Sequence, residues 1–122
     1  MTRTQAKISV IAPMYNEESV IARYIELTMV ILEKNFSNYE LILVDDGSRD
    51  KTLEISLSLA NRHNNMRIIS LNRNYGHEIA STAGLDASTG DYAILMDADL
   101  QHPPEIIPKL VEKAFEGYDV VT

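Results

Sequence analysis

The sequence contains no cysteine. Neither a disulfide framework nor a thiolate nucleophile is therefore available, which fits a reducing compartment. Basic residues are in deficit: 11 Lys and Arg stand against 18 Asp and Glu, a formal charge of −7. With no basic stripe to neutralise a phosphate backbone, nucleic acid is excluded as the expected partner. The same deficit means that an anionic ligand has to be met by a metal, an arginine or backbone N–H groups. No apolar run approaches the roughly 18–20 residues that span a bilayer, and Met1 to Lys7 lack the apolar core of a signal peptide. The chain reads as a soluble piece facing the cytoplasm. Two glycine signatures are missing as well. No G-x-G-x-x-G opens the first helix, which disfavours a dinucleotide site of the usual kind, and no G-x-x-x-x-G-K-[ST] exists, which excludes a P-loop enzyme.

What is present is a regular alternation. At 122 residues with 45% hydrophobic composition, the chain is one domain with a real core. Short apolar runs predict strands at Ile8–Ala12 (stopped by Pro13), Tyr39–Val44, Arg67–Leu71, Tyr92–Met96 and, beginning at Tyr118, through Val121. Between them lie helical patterns. The first runs from Glu18 to about Lys34, and the second is capped by Asp50 or Ser48 with Leu53, Leu57 and Ala60 inward. The third is a small-residue helix carrying Ile79, Ala80, Ala83 and Ala87. The fourth opens at Pro103-Pro104 and turns Ile106, Ile107, Leu110, Val111 and Ala114 toward the core.

Strand–helix alternation predicts an α/β, Rossmann-like fold: a mostly parallel sheet of order 3-2-1-4 plus a fifth strand, with helices on both faces. The first and fourth strands then lie side by side with connections leaving in opposite directions, and ligands bind at such a switch point. Its crevice would be lined by Pro13 to Glu18 and by Asp97 to Gln101. A strand at the very terminus has nothing after it to cover its outer side, so residues 1–122 are expected to be the front of a longer protein. An uncovered strand could also pair with another chain as a homo-oligomer.

Asp97-Ala98-Asp99 places two carboxylates one residue apart directly behind an apolar strand. Like charges so close in a crevice repel unless a cation joins them. Gln101 adds a neutral oxygen at the next alternate position, and Mg2+ or Mn2+ prefers such oxygen sets, completed by water and phosphate. A surface turn with capping carboxylates is the plainer reading of the same residues. Asp45-Asp46-Gly47-Ser48 is likewise turn chemistry, or a carboxylate poised to accept from the ring N–H of uracil or guanine. Pro13-Met14-Tyr15-Asn16-Glu17-Glu18 supplies an N-cap in Asn16 and acids suited to a helix start. Alternatively, Tyr15 offers a ring face or hydroxyl to a nucleoside and Glu17 binds ribose hydroxyls. Arg73 could pair with a phosphate or with one of the carboxylates. His77 and His102 lie near the predicted crevice, each more often a surface or capping residue.

In order and spacing, four segments resemble glycosyltransferase family 2, the inverting GT-A fold: Pro13-x-Tyr15-Asn16-Glu17, Val44-Asp45-Asp46-Gly47-Ser48, Asn72-Arg73-Asn74-Tyr75-Gly76 and Asp97-Ala98-Asp99-Leu100-Gln101. Thr82-Ala83-Gly84-Leu85-Asp86 and Asp99 to Glu105 narrow the likeness to the polyprenyl-phosphate branch, which includes dolichol-phosphate mannose synthases and bactoprenol glucosyltransferases. The resemblance implies that residues 1–122 are the nucleotide-sugar-binding part of such a domain. Pro13, Tyr15, Asn16, Glu17 and Asp45 would hold the nucleoside of a UDP- or GDP-sugar, with Asp46 and Arg73 close by. Asp97, Asp99 and Gln101 would hold Mg2+ or Mn2+ against the diphosphate, which makes Asp97 and Asp99 the expected catalytic residues. A polyprenyl phosphate would be the acceptor in the full-length protein, on the cytoplasmic side of the inner membrane. The acceptor part would follow Thr122, so the fragment is expected to bind donor and metal and to turn over poorly. Two other classes share parts of this pattern. One is a non-catalytic nucleotide-sugar binding module. The other is a phosphoacceptor receiver domain, disfavoured because it wants its acidic pair after the first strand and a lone Asp after the third.

Overall fold

The apolar runs become five parallel strands in the order β3-β2-β1-β4-β5. The computed structural model describes residues 5–117 and 120–121. The strands are β1 (Ile8–Met14), β2 (Tyr39–Asp45), β3 (Met66–Ser70), β4 (Tyr92–Leu95) and β5 (Val120–Val121). The connecting helices are α1 (Ile21–Asn35), α2 (Thr52–Ala60), α3 (His77–Ala87) and α4 (Ile107–Phe115), the last entered through a 3₁₀ turn at Pro104–Ile106. The order is the one the alternation predicts. Tyr118 and Asp119, also expected in the fifth strand, lie outside the described residues.

Alternation along the strands divides the core in two. One face carries Val10, Leu41, Leu43 and Ile94 under α1, α2 and α4, represented by Tyr24, Ile25, Leu59, Ile107 and Val111. The other carries Ile11, Ile42 and Val44 under Ala80 of α3. Each fully buried Ile or Leu side chain contributes about 1.5–3 kcal/mol through the area it removes from water. Gly84 lets α3 lie flush on the sheet: a Cβ there would come within 2.3 Å of Ile11 Cγ2 and 3.0 Å of Val44 Cγ2.

Three local expectations are corrected. β1 does not stop at Pro13 but runs through it to Met14, paired with β2 to the end. The reason is which way its nitrogen faces. The Ile11 carbonyl accepts from Met96 N–H on the β4 side, and the two-residue period turns Pro13 to that same side. There β4 has already ended its pairing, at Leu95 opposite Ile11, so no ladder bond is lost. β1 thus overhangs β4 while still backed by β2. In α2, Leu57 points outward, 50% exposed, and Thr52, Ser56 and Leu59 face inward instead. In α3, Ile79 is 52% exposed while Ala80, Ser81 and Gly84 are buried. Both helices are short, and their turn of entry, not their apolar content, sets which face meets the sheet.

At the amino ends of the strands, the buried Glu40 carboxylate ties the sheet together. It accepts from Ser9 Oγ (2.6 Å), Thr89 N–H (2.7 Å) and Arg67 Nη2 (3.0 Å), and Lys7 Nζ lies 4.0 Å away. Burial alone would push its pKa up, but the hydrogen bonds from Ser9 and Thr89 and the charge of Lys7 win and hold it below the usual value. Among the described residues no helix is long and apolar enough to cross a membrane.

Candidate functional site

The carboxyl ends of β1 and β2 enter turns that are stitched to each other. Asn16 N–H donates to Ser48 Oγ (2.9 Å) and Asn16 Oδ1 accepts from Arg49 N–H (2.8 Å). Glu17 N–H donates to Thr52 Oγ1 (2.7 Å), whose own N–H donates to Asp50 Oδ1 (2.9 Å). Lys51 N–H donates to Glu18 Oε2 (3.2 Å). Asn16 adopts φ 52°, a left-handed conformation that Asn tolerates better than most residues. Asn16 thus braces the neighbouring turn through its backbone N–H and its side-chain Oδ1. Asp50 meets the start of α2, as the sequence allowed.

The two adjacent aspartates are used differently. Asp45 ends β2 and is 1% exposed. Its Oδ2 accepts from Ser48 N–H (3.2 Å), while its Oδ1 is buried with no hydrogen-bond partner. A buried oxygen without a donor costs free energy until one arrives. Asp46, 4% exposed, is fully engaged: Oδ1 accepts from Tyr75 N–H (2.8 Å) and Oδ2 from Gly76 N–H (3.0 Å). Gly47 has φ +71°, and a Cβ there would lie 2.3 Å from the Arg73 carbonyl carbon, so the segment 72–76 rests directly on this turn. Within that segment the Arg73 guanidinium stacks 4.6 Å from the Tyr75 ring centre, and the Tyr75 hydroxyl donates to Asn72 Oδ1 (2.6 Å).

The segment delivers His77, the first residue of α3, to the acidic motif behind β4. His77 Nε2 lies 2.7 Å from Asp97 Oδ1. Two residues on, Asp99 Oδ1 accepts from Gln101 N–H (3.0 Å) around Leu100, whose φ is 64°. Glu17 faces this motif across the switch point. Its pKa is raised, first by burial and then by the negative charges of Asp99, Asp50 and Asp97.

A cleft of about 440 Å³ collects Pro13, Tyr15, Glu17, Asp46, Asp97 and Asp99, together with Met14, Asn74, Gly76 and His77. Four of the residues expected to hold nucleotide or metal do not line it. Asn16 braces the turns, Asp45 is buried at the end of β2, Arg73 stacks on Tyr75, and Gln101 is exposed with its backbone on Asp99. The contact of His77 with Asp97 was not foreseen, and its position near the crevice was the sole sequence signal. Among the described residues no group of three or more His, Asp or Glu side chains is gathered closely enough to hold a metal unaided. Asp97 and Asp99 offer hard anionic oxygens, and Glu17 lines the same cleft. That donor set fits a Mg2+ or Mn2+ ion whose remaining ligands are water and phosphate.

The glycosyl transferase family 2 profile matches residues 9–122. The chain belongs to glycosyl transferase family 2. This family 2 chain is 49% identical over 116 residues to an undecaprenyl-phosphate 4-deoxy-4-formamido-L-arabinose transferase of Photorhabdus laumondii, covering 94% of the chain and 36% of that relative. It spans about a third of the length of the curated relatives it matches. Among solved structures, glucosyl-3-phosphoglycerate synthase from Mycobacterium tuberculosis in complex with UDP superposes with TM-score 0.72 at 27% identity, over 93% of this chain and 41% of that one. The mannosyltransferase PcManGT from Pyrobaculum calidifontis, in complex with GDP-Man and Mn2+, gives TM-score 0.77 at 22% identity over 90% of this chain and 32% of that one. At that identity the likeness is one of fold alone. The GT-A architecture expected from the motifs is the one observed.

Proposed function

We propose that the cleft between β1 and β4 binds a nucleoside diphosphate sugar together with Mg2+ or Mn2+, and that the whole protein transfers the sugar, with inversion, to polyprenyl phosphate. One observation carries this reading. Tyr15 and Glu17, from the turn after β1, share a single cleft with Asp97 and Asp99, from the turn after β4.

In this reading Tyr15 offers its ring or hydroxyl to the nucleoside and Glu17 accepts from ribose hydroxyls. The unpartnered Oδ1 of Asp45 would take the ring N–H of uracil or guanine, provided that the base reaches the end of β2. Asp97 and Asp99, with Gln101 close by, would hold the cation. The ion would supply positive charge to the leaving diphosphate. The acceptor phosphate oxygen is already anionic, so its attack on the anomeric carbon needs no strong base. The new C–O bond forms on the face opposite to the diphosphate, the old C–O bond breaks, and the nucleoside diphosphate leaves. The name of the Photorhabdus relative supports a polyprenyl-phosphate acceptor, and the complexes of the structural neighbours support a nucleotide-sugar donor. In this reading a lipid acceptor would bring the whole protein to a membrane surface, with the cytoplasmic face of the inner membrane as the expected place.

The test of donor binding is a thermal-shift panel of UDP-, GDP- and dTDP-sugars with and without Mn2+. A metal-dependent rise for one base class is expected, and no shift with any donor would reject the reading. Transfer of labelled sugar to polyprenyl phosphate by the whole protein separates an enzyme from a binding module.

A further inference from the structure

We infer that Asp46 is a positioning residue. By holding the backbone of Tyr75 and Gly76 it seats the segment 72–77 on the turn after β2, and so sets His77 against Asp97. The inference rests on the proposed cation and donor reading for its functional consequence, but its structural part stands on contacts within the protein.

A carboxylate that lined the cleft only to meet a ligand would keep its oxygens free. Asp46 spends one oxygen on each of two consecutive N–H groups, at 2.8 and 3.0 Å, and both bonds are charge-assisted. Gly47 adds contact beneath them, because any side chain there would strike Arg73 and Asn74. Arg73 and Tyr75 stack on each other, and Tyr75 bonds Asn72, so the segment is braced internally. Its last residue is His77, 2.7 Å from Asp97. The path Asp46 to Gly76 to His77 to Asp97 therefore links the end of β2 to the end of β4 across the top of β1. Side-chain orientation at Asp97 is inherited from a residue that does not touch it, as in the outer shells that orient metal ligands.

The experiment is backbone amide exchange by NMR on this chain, followed by Mn2+ and UDP titration. In the unliganded wild type, Tyr75 and Gly76 amides should exchange slowly despite lying in a loop; exchange at unstructured-loop rates overturns the inference without any variant being made. In Asp46→Asn, whichever of the two amides is left facing the carboxamide NH2 should exchange about tenfold faster or more, the factor expected from losing a hydrogen bond to a charged group, and the His77 imidazole signals should shift. The amides of Ile42 and Val44 should be unaffected, which separates a local change from unfolding. Mn2+-dependent UDP affinity should fall about tenfold alongside. Affinity lost with Tyr75, Gly76 and His77 unchanged would make Asp46 a direct ligand contact and overturn the inference. Wild-type protein that binds neither Mn2+–UDP nor, in a parallel titration, Mn2+–GDP would instead reject the proposed function and with it the functional half of the inference, while the exchange data judge the seat separately.

Discussion

Gly84 of α3 lies so close to Ile11 of β1 that a methyl group in place of its hydrogen would sit 2.3 Å from Ile11 Cγ2. Helix α3 alone covers its face of the sheet among the described residues, and its last turns approach the sheet at this point. The helix also carries His77 into the cleft, so its height above the sheet bears on the site.

Gly84→Ala should therefore destabilise the fold by about 1–3 kcal/mol through overpacking, despite the better helix propensity of Ala. Urea denaturation measures this. Ile11→Ala combined with Gly84→Ala should cost less than the two changes summed, because the first opens the space that the second fills.

Glu40 gives the stability curve an acid limb. Its folded pKa lies below the ordinary value of 4.5. The stability it contributes is fully present above 4.5 and is lost as pH falls through the lower folded value. Glu40→Gln should lower the unfolding free energy measured by urea titration at pH 7, by about 1.5–3 kcal/mol for hydrogen bonds to a charged group. It should also flatten the fall in stability below 4.5; an unchanged acid limb would assign that limb to other carboxylates.

Asp99→Asn removes one of the paired charges behind β4. Mn2+-dependent binding of a nucleoside diphosphate should fall below detection by calorimetry, with the fold intact, since Asn keeps the oxygen that meets Gln101 N–H. Unchanged affinity would remove Asp99 from the cation site.

Asp45→Ala should weaken nucleoside binding more than pyrophosphate binding. The argument is the buried Oδ1 that finds no donor in the protein. Equal losses for both ligands would show that the carboxylate braces Ser48 and reads no base.

The architecture was legible because it depends on period and order. Apolar runs of strand length, helical spacing between them and right-handed crossovers leave few topologies, and the 3-2-1-4 order follows. The site was legible to the level of the segment. Pro13, Tyr15, Glu17, Asp46, Asp97 and Asp99 do share one cleft. What each side chain does there was not legible, since it depends on turn geometry that spacing does not encode. Asn16 and Arg73 look like ligand contacts by type, yet one braces a turn and the other stacks on Tyr75. Asp45 and Asp46 are neighbours in sequence, but opposite pointing at a strand end gives one an orphan oxygen and the other two backbone partners. The buried faces of α2 and α3 were missed for a related reason: nine and eleven residues are too few for periodicity to choose between adjacent faces when small and polar residues can pack against a sheet.

The path of β1 through Pro13 has one more consequence. Ile11 is its last residue beside β4, whereas Met14 is still registered with Asp45 of β2. The floor beneath the cleft is therefore a ledge with a drop of about 10 Å on one side, at 3.3 Å per residue. On the proposed reading, a nucleotide sugar would lay its base on the ledge near Tyr15 and carry its diphosphate over the lower tread where Asp97 begins, so the stepped sheet edge would favour one orientation over its reverse.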